Sequence, residues 1–216
     1  MANSYQGKTY IFESGKLYEF NQTTRYTLLS ASPWYMEWTS ELQVLNGELY
    51  IAGGRTDFEN ATTQVLIYNF ASGVWRQGAP LNKLRHGAAT AVANSKLYVF
   101  GGNYSNDTAE VFNTNTNLWT YIASNSSLGV AFDTAVASGK HIFVAVSEVA
   151  ANATVLRNDP LLNTWAKFTL IVPSRSYKNS FLYKGKIYLI GGNDNAGSSA
   201  NVSSFYISDD SELYVN

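Results

Sequence analysis

The sequence predicts an all-β protein of about five four-stranded sheets arranged radially, and three observations carry that prediction. First, one phrase recurs: Gly47-Glu-Leu-Tyr-Ile-Ala-Gly-Gly54, Ser95-Lys-Leu-Tyr-Val-Phe-Gly-Gly102 and Gly185-Lys-Ile-Tyr-Leu-Ile-Gly-Gly192. Weaker copies at 7–14 and 139–146 lack the glycines but keep the register, so the doublet position falls at 13, 53, 101, 145 and 191. Second, Trp75, Trp119 and Trp165 share that period, and Tyr68 and Phe112 each precede a tryptophan by seven residues. Third, aromatics reach 14% and charged residues only 14% of the chain, with no sustained helical periodicity.

Within one repeat the strands can be placed in order. His86 to Ala93 is small and β-compatible, Lys96 to Gly101 apolar and aromatic, Thr108 to Phe112 a third run and Leu118 to Ile122 a fourth. Gly, Asn, Ser and Thr punctuate between them. One such sheet cannot bury both its faces. Radial stacking packs each sheet on two neighbours, and closing the ring protects the edges. The expected architecture is therefore a single β-propeller over 1–216, with blades at about 1–34, 35–80, 81–125, 126–171 and 172–216. Pro33, Pro80 and Pro173 fall where one blade passes to the next, and Pro160 falls in the turn before a last strand. The first repeat is short at its inner edge. The sequence starts and stops near repeat boundaries, which favours a five-bladed ring over a segment of a longer one.

A glycine doublet closing the second strand, then an aromatic, then tryptophan seven residues on resembles the kelch repeat. The resemblance covers nearly the whole chain and is strongest in repeats two and three. Repeat five keeps Gly191-Gly192 but has Leu213 in place of tryptophan, repeat four keeps Trp165 without the doublet, and repeat one keeps only Tyr10 and the spacing. A WD-type repeat has a similar period, but no Gly-His or Trp-Asp dipeptide supports it. The doublets permit positive φ and close backbone approach, and the tryptophans fill the space between sheets. These residues are expected to build the fold, with Trp75, Trp119 and Trp165 buried.

Composition narrows the function. There is no Cys, which excludes disulfides, thiolate metal sites and Cys nucleophiles. It also excludes chemistry like that of the copper radical oxidases of galactose oxidase type, which need a Cys cross-linked to Tyr. A net charge of −1 gives no electrostatic case for nucleic acid. No apolar run approaches the ~20 residues of a membrane helix. No Gly-x-Ser-x-Gly, P-loop or dinucleotide fingerprint occurs. The expectation is a non-catalytic, cofactor-free, metal-free and monomeric scaffold that presents loops to a protein, peptide or glycan, as the resemblance to propellers of ubiquitin-ligase adaptors implies. The alternative is a small-sugar enzyme, mutarotase- or epimerase-like, with acid/base residues at the ring mouth, as the sialic-acid mutarotases imply.

Two sets of candidate residues follow from register. Glu41, Ala89, Asp133 and Asn179 occupy one column of the innermost strands, so Glu41, Asp133 and Asn179 are expected to line the channel. The loops between second and third strands share a face with the inter-blade loops. That face takes Trp34, Tyr35, Trp38, Arg55, Arg85, His86, Tyr104, Arg175, Tyr177 and Asn193. Trp, Tyr and Arg are the types enriched at binding hot spots. Arg55, Arg85, Arg175, Trp38, Tyr104 and His86 are the expected partner contacts, with Arg85 and Arg175 placed to grip a carboxylate. His141 takes a strand position that Leu49, Leu97 and Ile187 hold elsewhere, which marks it as core. Asp209-Asp210-Ser-Glu212 reads as a solvated turn. Seven Asn-x-Ser/Thr sequons, at Asn21, Asn60, Asn103, Asn106, Asn125, Asn152 and Asn201, slightly exceed chance and lean toward an extracellular or cell-surface setting, a cytoplasmic one being equally compatible with polar loops.

Overall fold

The computed structural model describes the chain except residues 38, 57–59, 104–107, 123–130, 148–151, 174–176, 178, 195–196, 199, 208–212 and 215–216. It contains five four-stranded antiparallel sheets in a propeller ring, with no helix among the described residues. The first sheet is β1 (Ala2–Tyr5), β2 (Lys8–Glu13), β3 (Lys16–Asn21) and β4 (Arg25–Ala31). The second is β5 (Gln43–Leu45), β6 (Glu48–Ala52), β7 (Val65–Asn69) and β8 (Val74–Gln77). The third is β9 (Ala89–Ala93), β10 (Lys96–Phe100), β11 (Ala109–Asn113) and β12 (Leu118–Ile122). The fourth is β13 (Ala131–Ser138), β14 (His141–Ser147), β15 (Asn152–Asp159) and β16 (Thr164–Pro173). In the fifth, β17 (Asn179–Tyr183) and β18 (Lys186–Ile190) are followed by a small hairpin, β19 (Asn193–Asp194) with β20 (Gly197–Ser198). The sheet is then completed by β21 (Val202–Ile207) and β22 (Leu213–Tyr214).

Turn chemistry sets the strand register. In four sheets the first hairpin turns on two residues of positive φ: Gln6-Gly7, Asn46-Gly47, Asn94-Ser95 and Lys184-Gly185. That is the type I′ pattern, whose twist matches paired strands. The third-to-fourth-strand turns use a side chain. Asn69 Oδ1 accepts from the N–H of Ala71 and Ser72, Asn113 Oδ1 from Asn115, and Asp159 Oδ1 from Leu161 and Leu162. Each such turn then ends on a residue of positive φ, Gly73, Asn117 or Asn163.

The fourth sheet departs from the rest. Its turn, Gly139-Lys140, has positive φ at Gly139 and closes on Ser138 opposite His141, one residue nearer the doublet position than elsewhere. Moving a hairpin turn by one residue moves every cross-strand partner by two. Val144 therefore faces Ala135, as Phe100 faces Ala89 and Ile190 faces Asn179, and a register shift lies between Phe132 and Thr134.

Sheets are joined by aromatic clamps. The tryptophan of one sheet packs on the sheet before it: Trp75 beside Tyr10 and Phe12, Trp119 beside Tyr50 and Ile67, Trp165 against Phe100. The indole N–H of Trp75 donates to Ser30 Oγ at 3.0 Å, and that of Trp119 to the Ala79 carbonyl at 2.9 Å. Trp75 and Trp119 are buried as expected, whereas Trp165 is half-buried. The doublets do what their sequence implies. A Cβ on Gly53 would lie 2.6 Å from the Arg85 carbonyl oxygen, so the loop leading into the third sheet docks directly on glycine backbone. His141 is buried in the fourth sheet, and burial lowers its pKa.

Candidate functional site

Two regions collect polar chemistry, the channel on the ring axis and the loop face above the doublets. The channel holds a cavity of about 550 Å³ lined by the innermost strands of all five sheets, with Asn3, Glu41, Gln43, Asn179 and Ser180 among its polar residues. Glu41 is its hub. One carboxylate oxygen accepts a short hydrogen bond from Thr134 Oγ1 of the fourth sheet, and Thr134 Oγ1 in turn lies 2.8 Å from Ser180 Oγ of the fifth. The other oxygen accepts from the N–H of Thr90 at 3.1 Å and of Ala135 at 3.4 Å. Burial pushes the Glu41 carboxyl up to about 7, and the Thr134, Thr90 and Ala135 bonds hold it from rising further.

The structure brings Glu41 and Asn179 to this cavity and leaves Asp133 out of its lining. The correction has a physical cause. The shifted turn of the fourth sheet puts Ala135 where Asp133 is expected, and Ala135 lines the cavity. Asp133 instead accepts a hydrogen bond from the backbone N–H of Tyr177 at 3.1 Å, fastening the loop that leads into the fifth sheet.

On the loop face, backbone bridges link successive loops: Glu37 with Arg55, Arg55 with Ala61, Thr62 with Arg85, and His86 with Asn103. Arg55 Nη2 lies 3.0 Å from His86 Nε2, and Asn103 Nδ2 lies 3.2 Å from the same nitrogen. A guanidinium only donates, so Nε2 accepts and the imidazole is neutral with its proton on Nδ1. Burial, reinforced by the Arg55 charge, lowers the His86 pKa in the same sense. Tyr35 donates to Glu37 Oε2 at 2.7 Å on this face. Tyr35 and Leu84 are exposed.

Arg85 corrects the expectation of a solvent-facing grip. Its side chain is 0% exposed and pairs with Glu110, Nη2 to Oε1 at 2.8 Å and Nε to Oε1 at 3.1 Å. Nη1 donates to the carbonyls of Gly101 and Thr108, and Nη2 also to Thr108 Oγ1. The other Glu110 oxygen accepts from the backbone and side-chain amides of Asn82. Arg85 is thus an internal strut under the loop face. His86 is likewise buried rather than solvent-facing, and Arg55 is half-buried. Trp38, Tyr104 and Arg175 lie outside the described residues, as do the Asp209–Glu212 turn and the sequons at Asn106 and Asn125. The Arg85–Glu110 pair and the Glu41–Thr134 bond escaped the sequence reading because their partners are 25 and 93 residues apart. Among the described residues, no cluster of three or more His, Asp or Glu side chains could hold a metal ion.

The family model for the kelch motif matches residues 41–82 and 84–126, the second and third sheets. Kelch-like protein 30 of Homo sapiens is 31% identical over 85 residues, covering 38% of this chain and 15% of that protein. Kelch repeat protein M-T8 of Myxoma virus (strain Lausanne) is 26% identical over 159 residues, covering 68% of this chain and 30% of that protein. The chain therefore spans less than a third of the length of these curated relatives. Among solved structures, one titled "Structure of YjhT" superposes with a TM-score of 0.71 at 15% identity, covering 100% of this chain and 96% of that one. At that identity the likeness concerns the fold.

Proposed function

We propose that the chain, whose second and third sheets match the kelch motif, is a non-catalytic recognition propeller of the kelch-repeat family whose contact surface is the loop face around Arg55, His86 and Asn103. The observation that carries this reading is the bridging of successive loops into one platform. Loops already fixed in place lose little conformational entropy when a partner docks, so contact energy converts more fully into affinity. Arg85 and the glycine doublets hold the platform from beneath. Exposed Tyr35 and Leu84 offer apolar contact, and half-buried Arg55 and exposed Asn103 add polar side chains whose positions are set by His86 Nε2. The matching partner is a protein segment that presents an apolar side chain beside carbonyl or carboxylate acceptors.

A random peptide library panned on the immobilised protein tests this. Selected peptides should lose at least about tenfold in affinity, or 1.4 kcal/mol, on Arg55→Ala and on Tyr35→Ser. Peptides that bind both variants as well as the parent would move the contact surface elsewhere.

Glu41 favours a second reading. A carboxyl poised near neutrality on a cavity wall suits proton transfer, as small-sugar acid/base chemistry requires. Its oxygens are already engaged by Thr134, Thr90 and Ala135, which favours an architectural role. Turnover of a small acidic sugar, lost on Glu41→Gln, would support the enzyme.

A further inference from the structure

Four of the seams between sheets are closed by a cluster of buried side chains: first to second, second to third, third to fourth and fourth to fifth. No such cluster joins the fifth sheet to the first among the described residues. Both faces that flank this last seam nevertheless carry the apparatus of a closed one. Cross-strand pairing aligns Leu97, Phe112 and Trp119 in the third sheet, and it aligns Thr9, Phe20 and Tyr26 in the first. Tyr26 therefore stands where Trp119 stands. The Phe20 and Tyr26 rings are 5.5 Å apart, as Phe112 and Trp119 are 5.1 Å apart. Yet Trp119 is 6% exposed and Tyr26 61%.

The fifth sheet shows the complementary half. Ile187, Leu189 and Phe205 face the fourth sheet, so Tyr188 and Ile190 point the other way by strand alternation. They hold the positions of Tyr98 and Phe100, the surface onto which Trp165 packs. Here, among the described residues, Tyr188 stacks at 4.9 Å on Phe181 of its own sheet, and Phe181 and Tyr206 are exposed. The axial cavity reaches both flanks, from Ala2 to Ser4 and from Asn179 to Leu182.

We propose that the seam between the fifth and first sheets is a docking groove for one more four-stranded sheet of the same repeat, received on Tyr188 and Ile190 and in turn receiving Phe20 and Tyr26. The occupant follows from continuity with the four closed seams. Three are filled by a tryptophan on one side and a Tyr- or Phe-bearing strand on the other, the fourth by Phe205 with Phe143, and the open seam presents an aromatic pair and a Tyr-bearing strand with no cluster between them among the described residues. Its source is the same polypeptide, because every closed seam joins repeats adjacent in one chain.

The absence of Cys makes a clean test, since a single introduced thiol reports on its own surroundings. Tyr26→Cys is made in the chain as it stands. It is also made in a fusion that carries a second copy of residues 84–126 after Asn216 through a flexible linker. The thiol should react rapidly with Ellman's reagent in the first protein and at least about tenfold more slowly in the second. The fusion should also melt more than about 5 °C higher, the shift expected when a seam closes in a domain of this size. A Leu161→Cys control on an exposed turn should react alike in both. Three outcomes overturn the proposal. In one, the thiol is already protected in the monomeric unfused chain, so the first and fifth sheets close directly. In another, protection accompanies a dimer in sedimentation, so a second copy fills the groove. In the last, the fused repeat changes neither reactivity nor melting.

Discussion

Trp119 and Tyr26 occupy the same place in two copies of one repeat, and they fare differently. Trp119 lies under the second sheet with its N–H bonded to the Ala79 carbonyl, while Tyr26 stands largely in solvent beside Phe20. The cross-strand pairing is equivalent in both, so the strand and its turn are local products of the repeat. Burial is not local. It depends on which face the neighbouring sheet presents, and it converts an aromatic pair into a joint only when a neighbour is there. Stability should therefore be concentrated at the second and third sheets and thin out toward the open seam.

Three experiments probe that contrast, beginning with the largest effect. Arg85→Ala strands the buried Glu110 carboxylate beneath the second–third junction, and breaking a buried pair in this way costs about 3–5 kcal/mol. Urea unfolding should show this loss without a change in m-value. A loss below about 1 kcal/mol would mean that the pair is open to water.

Gly53→Ala against Gly7→Ala separates backbone strain from crowding. Both glycines have φ near +75°, 71° and 76°, so each alanine carries a left-handed penalty of about 1–2 kcal/mol. At Gly53 the new Cβ also meets the Arg85 carbonyl at 2.6 Å, whereas at Gly7 nothing lies within 4 Å. Calorimetry should find Gly53→Ala clearly the more damaging. Equal melting temperatures would mean that the docking of the loop onto the doublet is soft.

The third probe is pH. The Glu41 carboxyl has a folded pKa of about 7 against 4.5 unfolded, so the folded state holds its proton more tightly. Its contribution is fully present below pH 4.5 and is lost as pH rises toward 7, about 3 kcal/mol in all. Melting curves of the parent minus those of Glu41→Gln should decline between pH 5 and 7.5 and flatten above. A difference independent of pH would place this carboxyl in contact with water. The effect bears on the contrast because Glu41 touches the third and fourth sheets directly and reaches the fifth through Thr134. The first sheet is tied to the second sheet's side of the axis by Asn3, which donates to the Leu42 carbonyl at 2.6 Å.

Much of the fold was legible because its determinants are short-range and repeated. A glycine doublet, a tryptophan at fixed offset and two-residue turns announce sheets one at a time. The register of the fourth sheet was not legible, because the recurring phrase aligns Asp133 with Glu41 while the Gly139-Lys140 turn sets the actual pairing. At the candidate site, the sequence placed Glu41 on the channel and both Arg55 and His86 on one loop face, while their 3.0 Å contact emerges only in the structure. It misjudged Arg85, because an arginine at a loop end looks solvent-facing until Glu110 on β11 is seen beneath it. The equivalence of Tyr26 with Trp119 was also hidden, since Phe20 and Tyr26 are six residues apart rather than seven.

The most direct test of the account is a matched pair of unfolding measurements on Trp119→Ala and Tyr26→Ala. If burial against the preceding sheet turns the repeat's aromatic into a joint, Trp119→Ala should cost about 3–5 kcal/mol and Tyr26→Ala less than about 1 kcal/mol. Comparable losses at the two positions would contradict it, showing that Tyr26 is buried in solution and that the seam between the fifth and first sheets is closed.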